Sequence, residues 1–109
     1  MTYQTYISRN HAKAWDARTI VPLKDRQQLT IHTYKNHRGA LATYASVGTL
    51  ERGFVTHKLY QDYSKCFAAD TVRCTEKAVA AQHREVLARL PTILDDITRH
   101  YTGDLALIA

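Results

Sequence analysis

The residues best suited to chemistry in this sequence are three tyrosines, a histidine and a lysine, placed at alternate positions of predicted strands between residues 30 and 60. Alternation of this kind places side chains on one face of a β-sheet. The face that it predicts combines phenol, imidazole and ammonium groups: His32, Tyr34, Tyr44, Lys58 and Tyr60. A surface that only meets water rarely carries such a set. This face is therefore the strongest candidate for a binding site.

Three functions are compatible with such a face. The first is a binding module, a homodimer that uses the face for self-association or for a partner, because tyrosine is enriched where an apolar ring meets a wet hydroxyl. The second is a nucleic-acid-binding domain for single-stranded DNA or RNA, whose unpaired bases stack on aromatic rings. The third is a small hydrolase or ribonuclease that uses His32 and the tyrosines as acid and base. An ordinary explanation competes with them, because tyrosine favours strands and tyrosine pairs stabilise sheets.

The distribution of basic residues bears on the nucleic-acid hypothesis. The formal charge is +5, and residues 1–54 hold eight Lys or Arg against three acidic residues, so the excess lies in the first half of the chain. Arg38 and Arg52 are predicted in turns at opposite ends of the sheet. A continuous basic stripe therefore forms only if the arm of residues 9–28, with Arg9, Lys13 and Arg18, lies along the tyrosine face.

Cysteine and histidine spacing predicts no metal site, and the sequence contains no cofactor loop or catalytic motif. Cys66 and Cys74 are eight positions apart, which matches neither a redox pair nor a zinc knuckle, so both are expected to be reduced. His57 and His83 fall on predicted apolar faces and could meet in the core near Cys74. No spacing here enforces the three or four ligands that a metal needs. Binding is therefore favoured over catalysis.

The elements that position these residues belong to one predicted α+β domain, residues 1–109. Residues 29–63 predict an antiparallel meander whose two turns each end in glycine, at Gly39 and Gly53. A three-residue hairpin loop usually ends in a residue with positive φ, which glycine adopts without steric cost. With residues 37–39 and 51–53 as loops, Leu29 faces Val47 and Leu50 faces Phe54.

This register gives the sheet two chemically different faces. The apolar face collects six residues: Leu29, Ile31, Ala45, Val47, Val55 and Leu59. The other face, called the tyrosine face below, carries Thr30, His32, Tyr34, Tyr44, Ser46, Lys58 and Tyr60.

The remaining segments complete a sheet of three to five strands with a helix on its apolar face. Residues 2–8 predict a strand, residues 9–28 a long connection interrupted by Pro22, and residues 71–74 a short further strand. Residues 75–101 predict one long helix kinked at Pro91, or two nearly coaxial helices, with an N-cap at Thr75 and a continuous apolar stripe. The chain has no apolar run long enough for a membrane span and does not begin like a signal peptide, which predicts a cytoplasmic protein without a membrane partner.

Overall fold

The computed structural model describes residues 3–58 and 61–101 of the chain. Its elements are β1 (Thr5–Arg9), β2 (Trp15–Pro22), β3 (Gln27–Lys35), β4 (Leu41–Glu51), β5 (Phe54–Thr56), β6 (Ser64–Asp70), α1 (Glu76–Leu87) and α2 (Leu90–His100). These strands form one antiparallel sheet in the order β1-β2-β3-β4-β5, and β6 also pairs with β4. The α+β class is confirmed.

Strand β2 occupies the middle of the segment that was predicted to be a long connection. Its inward residues are Ala17, Thr19 and Val21, and its outward residues include Arg18 and Ile20. The prediction was wrong because this alternation is not one of apolar and polar residues: the inward side holds a threonine and the outward side an isoleucine. Pro22 is tolerated because it is the last residue of the strand.

The β3–β4 hairpin has the register that its glycine predicted. Leu29 pairs with Val47 and Ile31 with Ala45, while the Asn36 amide donates to the carbonyl of Ala40 at 2.9 Å. Gly39 has a φ of 79°. The apolar pattern and the turn thus specify the same pairing.

The β4–β5 hairpin is shifted by one residue from the prediction. Its loop has two residues, Arg52 and Gly53, with φ angles of 50° and 84°, and Leu50 therefore pairs with Val55 instead of Phe54. A two-residue loop with both φ angles positive matches the twist of the flanking strands, and it forms here in place of the predicted three-residue loop. The shift moves Val55 from the apolar face to the tyrosine face.

The third strand of the meander is also shorter than predicted. Strand β5 ends at Thr56, and β6 then takes the place beside the first half of β4. Phe67 is an extra residue in β6, because Thr43 pairs with Ala68 and Tyr44 with Cys66. The strand predicted at residues 71–74 is absent, and Leu59 and Tyr60 lie outside the described residues.

The predicted long helix is two helices of 12 and 11 residues. Thr75 caps α1 as expected, accepting a hydrogen bond from the Ala78 amide at 3.1 Å. Pro91 lies in the first turn of α2, where its missing amide hydrogen costs no hydrogen bond. The chain therefore begins a second helix at Leu90, with Pro91 in its first turn, and Pro91 does not kink a continuous helix.

Both helices contribute to the core on one face of the sheet, called the helix face below. Its centre contains four of the six predicted sheet residues and three apolar residues of the helices: Leu29, Ile31, Ala45, Val47, Val86, Ile93 and Ile97. Within the described residues, neither helix has the length and apolar composition that crossing a membrane requires.

Candidate functional site

A groove of about 610 Å³ lies on the tyrosine face, opposite the helices. Strands β2, β3 and β4 form its floor. Its lining residues are Arg18, Ile20, Gln28, Thr30, His32, Tyr34, Asn36, His37, Tyr44, Ser46, Val55, His57 and Ser64. Within residues 3–58 and 61–101, this lining has one arginine and three histidines but no carboxylate. Its size is within the range of small-molecule sites.

The centre of the groove is a row of directly paired residues across three strands. Arg18 of β2 pairs with His32 of β3, and His32 pairs with Tyr44 of β4. Directly paired side chains on one face lie about 5 Å apart at Cβ. Strand pairing therefore brings together three of the predicted site residues, including one that was expected on a separate arm.

Three aromatic rings continue this row into a connected wall. The ring centroids of His32 and Tyr34 are 4.4 Å apart in a stacked arrangement, and those of Tyr34 and Tyr44 are 5.6 Å apart. Asn36 donates to the Tyr44 hydroxyl at 3.4 Å. Burial raises the pKa of Tyr34, so its phenol stays protonated at neutral pH and can donate a hydrogen bond.

His32 is half-buried between opposing charges. Burial lowers the pKa of His32 and the Arg18 guanidinium lowers it further, whereas the Asp16 carboxylate acts in the opposite sense. The Nε2 atom of His32 is buried without a hydrogen-bond partner among the described residues, and Asp16 Oδ2 is 3.6 Å away. A buried polar atom without a partner costs free energy, which is common at functional sites.

Arg9, Lys13 and Lys58, three other predicted site residues, lie away from this row. Arg9 covers the Trp15 ring, 4.9 Å from its centroid, at the edge of the helix face. Lys13 has a φ of 59° in the turn between β1 and β2. Lys58 begins the turn that follows β5, where its amide donates to Asp62. None of the three lines the groove, and Tyr60 lies outside the described residues.

The continuous basic stripe is therefore missing from the described part of the tyrosine face. Arg18 is the one Lys or Arg in the groove lining, and Arg18 forms no ion pair with any described residue.

One wall of the groove was not foreseen. Val55 and His57 cover Gly48, so closely that a Cβ atom built on Gly48 would lie 2.5 Å from Val55 Cγ1 and 2.7 Å from His57 Cε1. The Nδ1 of His57 donates to the carbonyl oxygen of Val47 at 3.0 Å. In the neutral ring Nε2 is then the acceptor. Gly48, inside β4, could have indicated this wall from the sequence, since a glycine within a strand often marks a place where another segment approaches the backbone closely.

His57 and His83 do not meet, because they lie on opposite faces of the sheet. His57 borders the groove, whereas His83 is buried on the helix face and bonded to Thr19 and Thr33. The Cys74 thiol donates to the Trp15 carbonyl at 3.3 Å. Within residues 3–58 and 61–101, no group of three His, Cys, Asp or Glu side chains is placed to hold a metal ion.

Comparison of the chain with protein-family models, with curated proteins and with solved structures gave no match.

Proposed function

We propose that this protein is a binding module that holds a small ligand in the groove of its tyrosine face. The observation that carries the proposal is the convergence of Arg18, His32 and Tyr44 on one row at the floor of a groove. Small-molecule sites combine a concave surface, aromatic walls and a few oriented polar groups in this way.

The lining supports a ligand with several polar groups. Hydroxyl and amide side chains surround the aromatic wall on each side: Gln28, Thr30, Asn36, Ser46 and Ser64. Each can both donate and accept hydrogen bonds.

Self-association through the tyrosine face remains an alternative proposal, and the concave shape argues against it. A two-fold dimer places the same patch of each copy in contact. Two grooves of about 610 Å³ placed mouth to mouth leave unfilled space where an interface requires close packing.

The nucleic-acid hypothesis is also less well supported. A strand that lies across the groove brings several phosphates, and Arg18 is the one Lys or Arg side chain in the described lining. Affinity for nucleic acid depends on neutralising several phosphates at once. A catalytic use of His32 stays a hypothesis that requires activity lost in His32→Ala with folding retained.

A groove-filling variant tests the proposal. Ser46 lies on β4 in the groove, so Ser46→Trp should fill it, and Thr92→Trp on the exposed side of α2 is the matched control. In a thermal-shift screen of small metabolites, we expect compounds that raise the Tm of the wild type and of Thr92→Trp but not of Ser46→Trp. Compounds that stabilise all three proteins equally, or a screen in which none stabilises the wild type, would contradict the proposal.

Light scattering on the same proteins tests self-association. A dimeric wild type that becomes monomeric in Ser46→Trp identifies the tyrosine face as an interface between copies. A protein that is monomeric at high micromolar concentration excludes that alternative.

A further inference from the structure

We infer that the ligand of the groove is an anion that carries an aromatic ring, with its charge on Arg18 and its ring against the His32, Tyr34 and Tyr44 wall. This inference rests on the proposed function and adds the chemical class of the ligand.

The charge of the groove carries the first step. Among the described residues, Arg18 has no ion-pair partner and no carboxylate lines the groove. Asp16 lies two residues before Arg18 on the same side of β2, but its carboxylate is 3.6 Å from His32 Nε2 and accepts a hydrogen bond from Ser8 at 3.3 Å. A planar guanidinium with free donors at a groove floor can form paired hydrogen bonds with a carboxylate or a phosphate.

The aromatic wall carries the second step. His32 and Tyr34 are stacked, and Tyr34 is tilted by 34° against Tyr44, so the three rings are in continuous contact. Since Arg18 pairs directly with His32, the guanidinium and the wall are neighbours. A ligand of one ring and one charged group can reach both at once, which neither an inorganic anion nor a neutral ring can do.

The surroundings of His32 give an additional readout. The groups that face it are Asp16 and Arg18 from β2, Tyr34 on its own strand, Tyr44 from β4, and His83 through the sheet. An anion on Arg18 offsets the repulsion between Arg18 and a protonated His32. Binding should therefore be accompanied by proton uptake at His32 and be tighter at pH 5.5 than at pH 8, about tenfold for a pKa change of one unit.

The experiment is a titration of the ¹⁵N-labelled full chain with four probes, followed by NMR chemical shifts. Phenyl phosphate and benzoate combine a ring with a charge, inorganic phosphate lacks the ring, and benzyl alcohol lacks the charge. We expect the two aromatic anions to shift the amides of β2, β3 and β4 around the groove, with at least tenfold tighter binding than the other two. The better of the two shows whether phosphate or carboxylate is preferred.

Two charge variants complete the test. Arg18→Gln should weaken binding of the aromatic anions at least tenfold, and Arg73→Gln, which removes an exposed arginine outside the groove, should leave it unchanged. Benzenesulfonate, which keeps its charge from pH 5.5 to pH 8, should bind more tightly at the lower pH to the wild type but not to His32→Gln.

The outcomes separate the two levels of the proposal. Benzyl alcohol that binds in the groove as tightly as the anions, or an Arg18→Gln protein with unchanged affinity, overturns the ligand class but leaves the groove as a binding site. Oligothymidine that binds more than tenfold tighter than phenyl phosphate assigns the groove to a nucleic-acid strand instead. If neither these probes nor the metabolite screen affects the groove, the proposed function itself is wrong.

Discussion

The Nε2 atom of His83 lies 2.7 Å from the hydroxyl oxygen of Thr19, a residue 64 positions earlier in the chain. The other ring nitrogen, Nδ1, lies 2.8 Å from the Thr33 hydroxyl. His83 is 2% exposed, so both ring nitrogens rely on these threonines.

The direction of the hydrogen bonds around His83 can be derived. The Gln82 side-chain amide must donate to the Leu41 carbonyl, and it also donates to Thr43. Because Thr43 accepts from Gln82, its own hydroxyl hydrogen needs an acceptor, which is Thr33. Thr33 in turn donates to His83 Nδ1. His83 then donates from Nε2 to Thr19, which donates to Thr5. A second proton on His83 would break this chain.

Acid should therefore destabilise the protein through His83. Burial and, to a smaller extent, His32 lower the pKa of His83 to about 4, whereas an unfolded histidine has a pKa near 6.5. Between these values the unfolded state binds more protons, so the free energy of unfolding falls as the pH falls, by at most about 3 kcal/mol in total. Urea unfolding at pH 7, 6 and 5 measures the slope.

The variant His83→Gln isolates this contribution. Its absolute stability will be lower, but its slope between pH 7 and pH 5 should be smaller than that of the wild type. His32, whose pKa is also lowered, supplies part of the remaining slope. Equal slopes in the two proteins would show that His83 does not titrate as described.

Thr33→Val should destabilise the fold although it preserves side-chain shape. The variant leaves His83 Nδ1 and the Thr43 hydroxyl without their shared partner in the core, which costs about 1–3 kcal/mol. Thr30→Val, on the same strand but in the groove, is the control and should change stability by less than about 0.5 kcal/mol. If chemical denaturation shows the same loss of stability for Thr33→Val and Thr30→Val, the buried hydrogen-bond network makes no special contribution to stability.

Arg52→Asn should stabilise the protein because Arg52 has a φ of 50° in a two-residue turn followed by Gly53. Asparagine adopts this region at lower cost and precedes glycine in the preferred turns of this type, so we expect a gain of about 0.5–1 kcal/mol. Arg38→Asn is the control, since Arg38 has no positive φ. A gain in both variants would mean that charge, and not backbone geometry, is responsible.

Tyr63→Phe should weaken the contact between α2 and the residue that precedes β6. The Tyr63 hydroxyl donates to Asp96 Oδ2 at 2.6 Å, and Tyr63 is 5% exposed. Loss of this hydrogen bond should lower the free energy of unfolding by about 1–3 kcal/mol. Tyr6→Phe, at an exposed tyrosine in β1, is the control and should have little effect.

Alkaline pH gives a second readout for Tyr63. Burial and the bond to Asp96 raise the pKa of Tyr63, so above the unfolded pKa of about 10 the folded state binds more protons and loses stability. Tyr63→Phe should lose less stability than the wild type between pH 9 and pH 11. An identical loss would assign the alkaline sensitivity to other groups.

Gly48→Ala should disturb the groove wall. The new methyl group overlaps with Val55 and His57, so β5 must move and His57 must leave the Val47 carbonyl, at a cost of about 1–3 kcal/mol. Gly39→Ala is the control for backbone strain without overlap. A Cβ atom at Gly39 meets open space, and the cost there comes from the φ of 79°. NMR shifts of His57 should change in Gly48→Ala alone.

Sequence patterns alone were sufficient to predict the class of fold, the register of the β3–β4 hairpin, the Thr75 cap and most of the core residues. These features are encoded locally or by a clear period: glycine fixed the β3–β4 turn, and large apolar side chains marked the inward positions of β3, β4 and the helices. The sequence also identified His32, Tyr34 and Tyr44 as neighbours, because alternation along paired strands is sufficient to place them on one face.

The residues that surround those three rings became known from the three-dimensional arrangement of the strands. Strand β2 was not recognised because Thr19 occupies an inward position, where its hydroxyl is hydrogen-bonded to His83 of α1 and to Thr5 of β1. With β2 in place, Arg18 reaches the groove while Arg9 and Lys13 do not. The β4–β5 turn, one residue shorter than predicted, put Val55 and His57 on the groove wall. The place of β2 depends on contacts between distant segments, which no local pattern encodes, whereas the β4–β5 register follows from the twist of its two-residue turn.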